Sequence, residues 1–321
     1  MAGGRMELLA GDIGGTKTAL LRGLWRDGRL EVLAEATYDS AAYADLAEPV
    51  REFLGDAPAP PRACFAVAGP VQPAPHGGTQ ARITNLPWQL DSARLEAALG
   101  VARVTLINDL AGVGHGIAAL GPQDVVTIQP GPARPDGLRA VLGIGTGLGM
   151  ALLVPDGDAW RVFPSEGGHV DFAPLDDRQV RLREFARLRL GVDRVSFERL
   201  ASGPGLALIH ECLGGPAVDA AAVSARAAAG DTCAKEAMRL FAGLCGAAAG
   251  NLALTCLPSG GLYLTGGVVQ KNLPLFSGTA FLDAFRAKGR MAGLLERTPL
   301  YAITEPRVGL LGAACAARQD A

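Results

Sequence analysis

The sequence predicts an α/β protein of two domains with a ligand cleft between them. Three observations predict it. Short apolar runs with strand character alternate with stretches of helical spacing. The order apolar strand, glycine-containing turn, apolar strand occurs twice, near residues 6–24 and again near 138–154. The chain has 321 residues, about twice the usual size of one domain.

The first half opens with a strand over Met6–Gly11, a turn at Asp12-Ile13-Gly14-Gly15-Thr16-Lys17 and a strand over Thr18–Leu24. A second turn at Arg26–Arg29 leads to a strand over Leu30–Thr37. Tyr43–Leu54 has helical spacing, and Pro58, Pro60 and Pro61 end it. A buried strand is expected over Arg62–Ala68, a polar loop or short strand over Ile83–Leu90, and a helix over Ser92–Leu99 capped by Asp91 or Ser92. A strand over Val101–Ile107 then delivers Asn108-Asp109 at its carboxyl end, where ligands bind in open α/β sheets.

After a loop at Gln129–Gly137 the pattern returns: a strand over Leu138–Gly143, a turn at Ile144–Gly147 and a strand over Leu148–Val154. The echo is an internal pseudo-repeat too degenerate to find by identity. Helical patterns dominate Asp177–Leu190, Leu206–Leu213, Val218–Ala229 and Thr232–Leu254. A strand at Leu262–Leu264 ends at Thr265-Gly266-Gly267, and Val308–Ala317 closes the chain as a helix. The expected domains are residues 1–108 and 109–307, with the helix at about 308–321 packing back on the first.

Composition excludes several classes. Hydrophobic residues make up 49% and charged residues 19%, with mean hydropathy +0.22, enough apolar material for a real core. Lys+Arg 30 against Asp+Glu 32 gives a net charge of -2 and no basic stripe, so no nucleic-acid partner is expected. The six cysteines form no C-x-x-C pair and read as buried free thiols. The N-terminal apolar run is too short for a signal peptide. Leu240–Gln270 carries no charge, but Asn251, Thr255, Pro258 and repeated glycines break it. It reads as a buried small-residue helix followed by a strand rather than a membrane span. No membrane partner and a cytoplasmic location are expected.

Five motifs can carry chemistry. In the Asp12–Thr16 turn, paired glycines let backbone N–H groups face an anion, Thr16 adds a hydroxyl, and Asp12 can hold Mg²⁺ through water; a plain hairpin turn competes. Gly145-Thr146-Gly147 is the second such turn. It fails the dinucleotide fingerprint, because the sixth position is Leu148 counted from Gly143 and Met150 counted from Gly145. Two echoing turns together suggest a nucleotide phosphate chain. Gly266-Gly267 lets a flat ring approach the backbone, or is a structural turn. Asn108-Asp109 suits a general base acting on an alcohol, or a cap for the following helix. Glu166, His169 and Glu198 suit the hydroxyls of a polyhydroxylated ligand, while metal-ligand spacing is missing. His76, His115 and His210 are assigned to surface or packing, and no ligand contact is assigned to Gln72–Gln80.

The ordered series resembles the bacterial ATP-dependent glucokinase family of the sugar kinase/actin/Hsp70 superfamily. Its members here are Gly11-Asp12-Ile13-Gly14-Gly15-Thr16, Thr84-Asn85-Leu86-Pro87-Trp88, Ile107-Asn108-Asp109, Gly145-Thr146-Gly147-Leu148-Gly149, Glu166-Gly167-Gly168-His169-Val170-Asp171-Phe172, Glu198-Arg199, Ser202-Gly203-Pro204-Gly205-Leu206, Gly250-Asn251-Leu252-Ala253-Leu254 and Gly266-Gly267. Lys17 is a departure, standing where relatives of this type often have Asn. The resemblance implies two ribonuclease-H-like (actin/hexokinase-type) domains flanking the cleft. It implies transfer of the ATP γ-phosphoryl group to the 6-hydroxyl of glucose, with ATP and Mg²⁺ as cofactors and a homodimer as the assembly. Asp109 would be the base, with Asn108, Glu166, His169 and Glu198 on the other hydroxyls. Asp12, Gly14, Gly15, Thr16, Gly145, Thr146 and Gly147 would hold phosphates and metal, and Gly266 and Gly267 the adenosine. Another hexose such as mannose or fructose, or a non-catalytic sugar-responsive regulator, is the competing reading. Retention of Asp109 with both phosphate turns argues against the regulator.

Overall fold

The computed structural model describes residues 5–157 and 159–319. Residues 1–4 of the segment weighed above as a signal peptide, and the last two residues of the expected closing helix, lie outside them. The chain forms two compact units, one running to Gly121 and resuming at Arg307, the other spanning Pro122–Pro306.

In the first unit, β1 (Met6–Ile13) pairs antiparallel with β2 (Lys17–Arg26), which pairs with β3 (Arg29–Asp39). On its other side β1 runs parallel to β4 (Arg62–Val67), and β4 parallel to β8 (Arg103–Asn108). A small sheet of β5 (Val71–Pro73), β6 (Thr79–Arg82) and β7 (Gln89–Asp91) sits beside it. The helices are α1 (Ala47–Leu54), α2 (Ser92–Leu99), α3 (Asp109–Gly116) and α12 (Val308–Gln319). Of the two caps expected for α2, Asp91 is the one used, accepting from the Arg94 N–H at 3.0 Å. The expected helix over Tyr43–Leu54 is shorter than its spacing suggests. Asp45 accepts from the Glu48 N–H at 3.1 Å, starting the helix at Ala47 and leaving Tyr43 extended.

The period of two along β1 sorts its side chains to two cores. Leu9 and Ile13 join Phe65, Val67 and Trp88 on one face, whereas Leu8 and Ala10 join Cys64, Ala66, Leu310, Ala313 and Ala314 on the other. Asp12 falls in register with Leu8 and Ala10, on the face that α12 covers. The Trp25 indole N–H fastens that helix by donating to the Ala314 carbonyl at 3.2 Å.

Glycine sets how close α12 comes to α3. A Cβ at Gly112 would lie 2.7 Å from the Ala66 Cβ, one at Gly116 would strike the Val308 carbonyl, and one at Gly312 would strike the Gly112 carbonyl. This contact corrects the expected boundary at 108/109. α3 belongs to the first unit because it packs on β4 and α12, and the division falls after Gly121.

The second unit repeats the pattern. β10 (Arg139–Ile144) pairs antiparallel with β11 (Leu148–Asp156) and β11 with β12 (Ala159–Ser165). β10 runs parallel to β13 (Gly261–Thr265), β13 parallel to β14 (Leu300–Ile303), and β9 (Val125–Gln129) closes the edge antiparallel to β14. The sequence pseudo-repeat is therefore a repeat of topology: three antiparallel strands followed by two parallel ones, the ribonuclease-H-like arrangement expected.

Eight helices among the described residues complete this unit: α4 (Asp177–Leu190), α5 (Gly203–Cys212), α6 (Ala220–Ala228), α7 (Thr232–Cys256), α8 (Gly267–Lys271), α9 (Leu273–Phe276), α10 (Thr279–Arg286) and α11 (Ala292–Leu295). By length and composition α7 could cross a membrane, yet 67% of its apolar window is buried inside the protein. Its glycines explain the uncharged stretch. Cβ atoms at Gly246 and Gly250 would collide with the Phe281 and Phe285 carbonyls, so the small residues seat α10. None of the six cysteines is in a disulfide, but only Cys64 and Cys245 are fully buried, the other four being partly exposed.

Gly312→Ala should lower stability by about 1–3 kcal/mol, because overpacking here pushes on backbone rather than on a side chain that can turn away. Gly293→Ala, at a position with open space around it, should leave the melting temperature within error. Thermal unfolding of the pair checks the claim, and equal effects would contradict it.

Candidate active site

The first unit's site forms where β1, β8 and α12 converge. The Gly14 N–H donates to the Lys17 carbonyl at 2.9 Å, closing the turn after β1. Two other carbonyls of the turn are held by one residue. Ser40 donates from its hydroxyl to the Gly14 carbonyl and from its N–H to the Thr16 carbonyl, each at 3.0 Å. The Ser40 hydroxyl also lies 3.0 Å from that of buried Thr18. Tying up carbonyl oxygens removes groups that would repel an anion. Ser40 was not singled out from sequence, since a lone serine after a strand carries no signal until β3 is seen to lie beside the turn. Gly15 rests on the Thr84 carbonyl, where a Cβ would come within 2.8 Å. Thr84 and Asn85, the latter at φ +66, belong to a loop that lines a cavity of about 510 Å³. Thr16 and Lys17 are exposed.

Asp12 is half-buried, and its carboxylate lies where a Cβ on Gly309 would come within 2.7 Å, at the first turn of α12. Its pKa is pushed up to about 6, first by desolvation and then by the like charge of Asp109. Two carboxylates close enough to feel each other's charge suit one hard divalent cation, with water and phosphate oxygens filling its remaining positions.

Of the readings weighed for Asn108-Asp109, the cap falls on Asn108. Asn108 is the cap of α3: its side-chain oxygen accepts from the N–H groups of Leu110 at 3.0 Å and Ala111 at 3.4 Å, and its amide donates to the Gly69 carbonyl at 3.2 Å. Asp109 is the first helical residue, its carboxylate accepting from the Leu110 N–H at 2.8 Å. The capping reading weighed for Asp109 is thus met by its neighbour.

In the second unit the turn between β10 and β11 is closed by the Gly145 N–H donating to the Gly147 carbonyl at 3.0 Å. Gly203, at the start of α5, donates to the Gly145 carbonyl at 2.8 Å. Glu198 reaches the end of this turn and accepts from the Leu148 N–H at 3.1 Å. A Cβ at Gly147 would lie 2.7 Å from the Glu198 carboxylate, so glycine makes room for it.

The same carboxylate faces His169, 3.8 Å from its Nδ1, while Glu166 lies 3.7 Å from the Nε2. The structure therefore brings Glu166, His169 and Glu198 together. Both separations are too long for direct hydrogen bonds and leave room for ligand hydroxyls to bridge them. Gly167 and Gly168 let the segment lie flat on β11, since a Cβ at Gly168 would strike the Leu148 carbonyl. Arg194, unremarked in the sequence, steadies the cluster by donating to the His169 carbonyl and the Asp171 carboxylate, each at 2.8 Å.

Gly266 has φ +99 and presses on Ile144, while Gly267 is exposed with nothing near its open face. Between α4 and α5 lies a cavity of about 430 Å³ whose wall includes Thr146, Arg199, Ser202, Leu208 and Val218. Thr146 joins it to the glycine turn, and Ser202 caps α5 by accepting from the Gly205 N–H at 3.3 Å. Among the described residues, no cluster of three or more His, Cys, Asp or Glu side chains forms a ready metal cage.

A duplicated ribonuclease-H-like fold with a glycine turn at the head of each sheet defines the actin/hexokinase-type phosphotransferases, and comparison with known proteins narrows the class. The Glucokinase family model matches residues 9–320. The glucokinase of Nostoc punctiforme is 40% identical over 97% of this chain and 99% of its own length. The crystal structure of a glucokinase from an Antarctic psychrotroph superposes with a TM-score of 0.84 at 30% identity, covering 98% of this chain and 99% of that one. A ROK family glucokinase from Streptomyces griseus, in complex with glucose and AMPPNP, shares the fold with a TM-score of 0.63 at 21% identity over 98% and 99% of the two chains. The chain belongs to the glucokinase family of sugar kinases.

Proposed function

We propose that this chain transfers the γ-phosphoryl group of ATP to the 6-hydroxyl of glucose, giving glucose 6-phosphate and ADP. The observation that carries the reading is the double engagement of Glu198. One carboxylate holds the Leu148 N–H at the end of the glycine turn and faces His169. A phosphate turn and a hydroxyl-binding cluster are thus coupled through a single side chain, as transfer between a phosphate chain and a polyol requires.

In this reading Asp109 accepts or orients the proton of the 6-hydroxyl, and Asn108 offers its remaining amide N–H to a neighbouring hydroxyl. Glu166, His169 and Glu198 hold hydroxyls on the rest of the sugar. The Asp12–Thr16 and Gly145–Gly147 turns present backbone donors to the phosphate chain. The 430 Å³ cavity and the open face of Gly266-Gly267 take the nucleoside. Mg²⁺, held through Asp12 and water, would supply charge neutralisation on the phosphate oxygens. Catalysis rests on positioning: Asp109 is fixed at a helix start by the Asn108 cap. A cytoplasmic homodimer accompanies this reading, on the strength of the family resemblance.

Asp109→Asn tests the reading. Asn108 does the capping, so the variant should fold with an unchanged or slightly raised melting temperature, because a like charge beside Asp12 is gone. It should still bind ATP, and kcat should fall by about 10²–10⁴-fold, the contribution of a positioned base. A stable variant that turns over near the wild-type rate would place the base elsewhere. In a second test, Glu166→Gln should raise the KM for glucose more than that for ATP, since a hydrogen bond to a charged group contributes roughly 1.5–3 kcal/mol. Equal changes in both constants would remove Glu166 from the sugar cluster.

A further inference from the structure

His210 is fully buried on α5, and no step of the proposed reaction uses it. Its Nδ1 lies 3.1 Å from the Pro216 carbonyl. A carbonyl only accepts, so the ring proton sits on Nδ1. Its Nε2 is buried with no hydrogen-bond partner. A core position that needed only bulk would be served by leucine or phenylalanine without stranding a nitrogen. The side chain is there for the one donor it provides.

That donor acts on a glycine-rich segment. Gly214 stands at φ +89 and Gly215 follows it. Gly215 lies so close to the imidazole that any Cβ there would collide with the ring. The backbone is gathered to the same residue: the N–H groups of Leu213 and Gly215 donate to the His210 carbonyl at 3.2 and 3.0 Å. Beyond Pro216, the next three residues, Ala217, Val218 and Asp219, line the 430 Å³ cavity. Asp219 also starts α6, accepting from the Ala222 N–H at 2.7 Å. His210 lies behind the wall and the cavity in front of it.

We propose that His210 is a positioning residue: through its Nδ1–H bond to Pro216 it holds the Gly214–Asp219 wall in place and so sets the affinity for the nucleotide. The inference rests on the placement of the nucleoside in this cavity. The wall is built from two glycines, a proline, an alanine, a valine and the helix-capping Asp219. Without the strut it keeps its composition but loses its position, and a flat base would then meet a mobile surface.

The test uses His210→Leu, His210→Asn and Gly215→Ala in the full-length protein. The wild-type protein, with no added ligand, is the reference for amide hydrogen exchange over residues 213–219. His210→Leu should speed exchange there and raise the KM for ATP by about three- to tenfold, the loss of one hydrogen bond. The KM for glucose and kcat at saturating ATP should stay unchanged. His210→Asn, whose amide can donate from nearly the Nδ1 position, should restore both readouts. Gly215→Ala leaves His210 in place but forces the wall off the ring, and should reproduce the leucine variant even if that variant fails to fold. Unchanged exchange over 213–219 in a folded His210→Leu or Gly215→Ala protein would overturn the proposal. So would an asparagine variant no better than leucine, which would make the residue packing alone. Faster exchange with an unmoved ATP KM and a raised glucose KM would also overturn it. That last result would trace the fault to the nucleotide placement rather than to the strut.

Discussion

The backbone of α12 lies directly on the backbone of α3, with glycine at each crossing point, and the first unit's site depends on that contact. Gly116 and Gly312 leave no room for a methyl group between the helices, and Gly112 leaves none against Ala66. Because they do, the first turn of α12 arrives at Asp12, and α3 starts with Asp109 close enough to raise the Asp12 pKa. The last helix thereby packs against the carboxylate near the end of the first strand. The register of β1 completes the arrangement. Leu8, Ala10 and Asp12 share one face, so the alternation that buries the core also aims the carboxylate.

The second unit applies the same device to a different end. Glycines at 147, 167 and 168 remove side chains where Glu198, Met150 and Leu148 must approach, so three polar side chains gather on the rim of a sheet. Glu198 is the joint between turn and cluster, and its own N–H donates to the Gly168 carbonyl at 2.9 Å. Elsewhere charge does mechanical work. Glu236, held by Arg239 and Arg178, has its pKa pulled down to about 2 despite an opposing desolvation effect. Such a carboxylate stabilises the folded state above the ordinary carboxylate range and loses that contribution as pH falls towards 2. It fastens α4, one wall of the cavity, to α7.

Much of this was legible in the sequence because turns and strand ends announce themselves locally. Gly-Gly-Thr and Gly-Thr-Gly between apolar runs could be placed on the heads of sheets, and Asn108-Asp109 at a strand's carboxyl end. The illegible parts are those set by distant partners. Ser40 matters only because β3 returns beside the first turn, and Arg194 only because its loop folds under His169. β12 and β14 escaped notice for different reasons. The first is an exposed edge strand interrupted by Pro164, and the second is four residues long with its partners far away in sequence. His210, assigned to surface or packing, stands out only where its ring meets Gly215. The expected boundary at 108/109 falls short of the division after Gly121 because a strand end looks like a boundary, whereas the helix that follows it belongs to the same core.

The most direct test of the account is the identity of the product. The purified protein, given Mg²⁺, ATP and in turn glucose, mannose or fructose, would be followed by phosphorus NMR alongside ADP release. The account predicts glucose 6-phosphate with one ADP formed per sugar phosphorylated, and the highest kcat/KM with glucose. Phosphorylation at another hydroxyl, a clear preference for another hexose, or glucose binding without any phosphoryl transfer would contradict it.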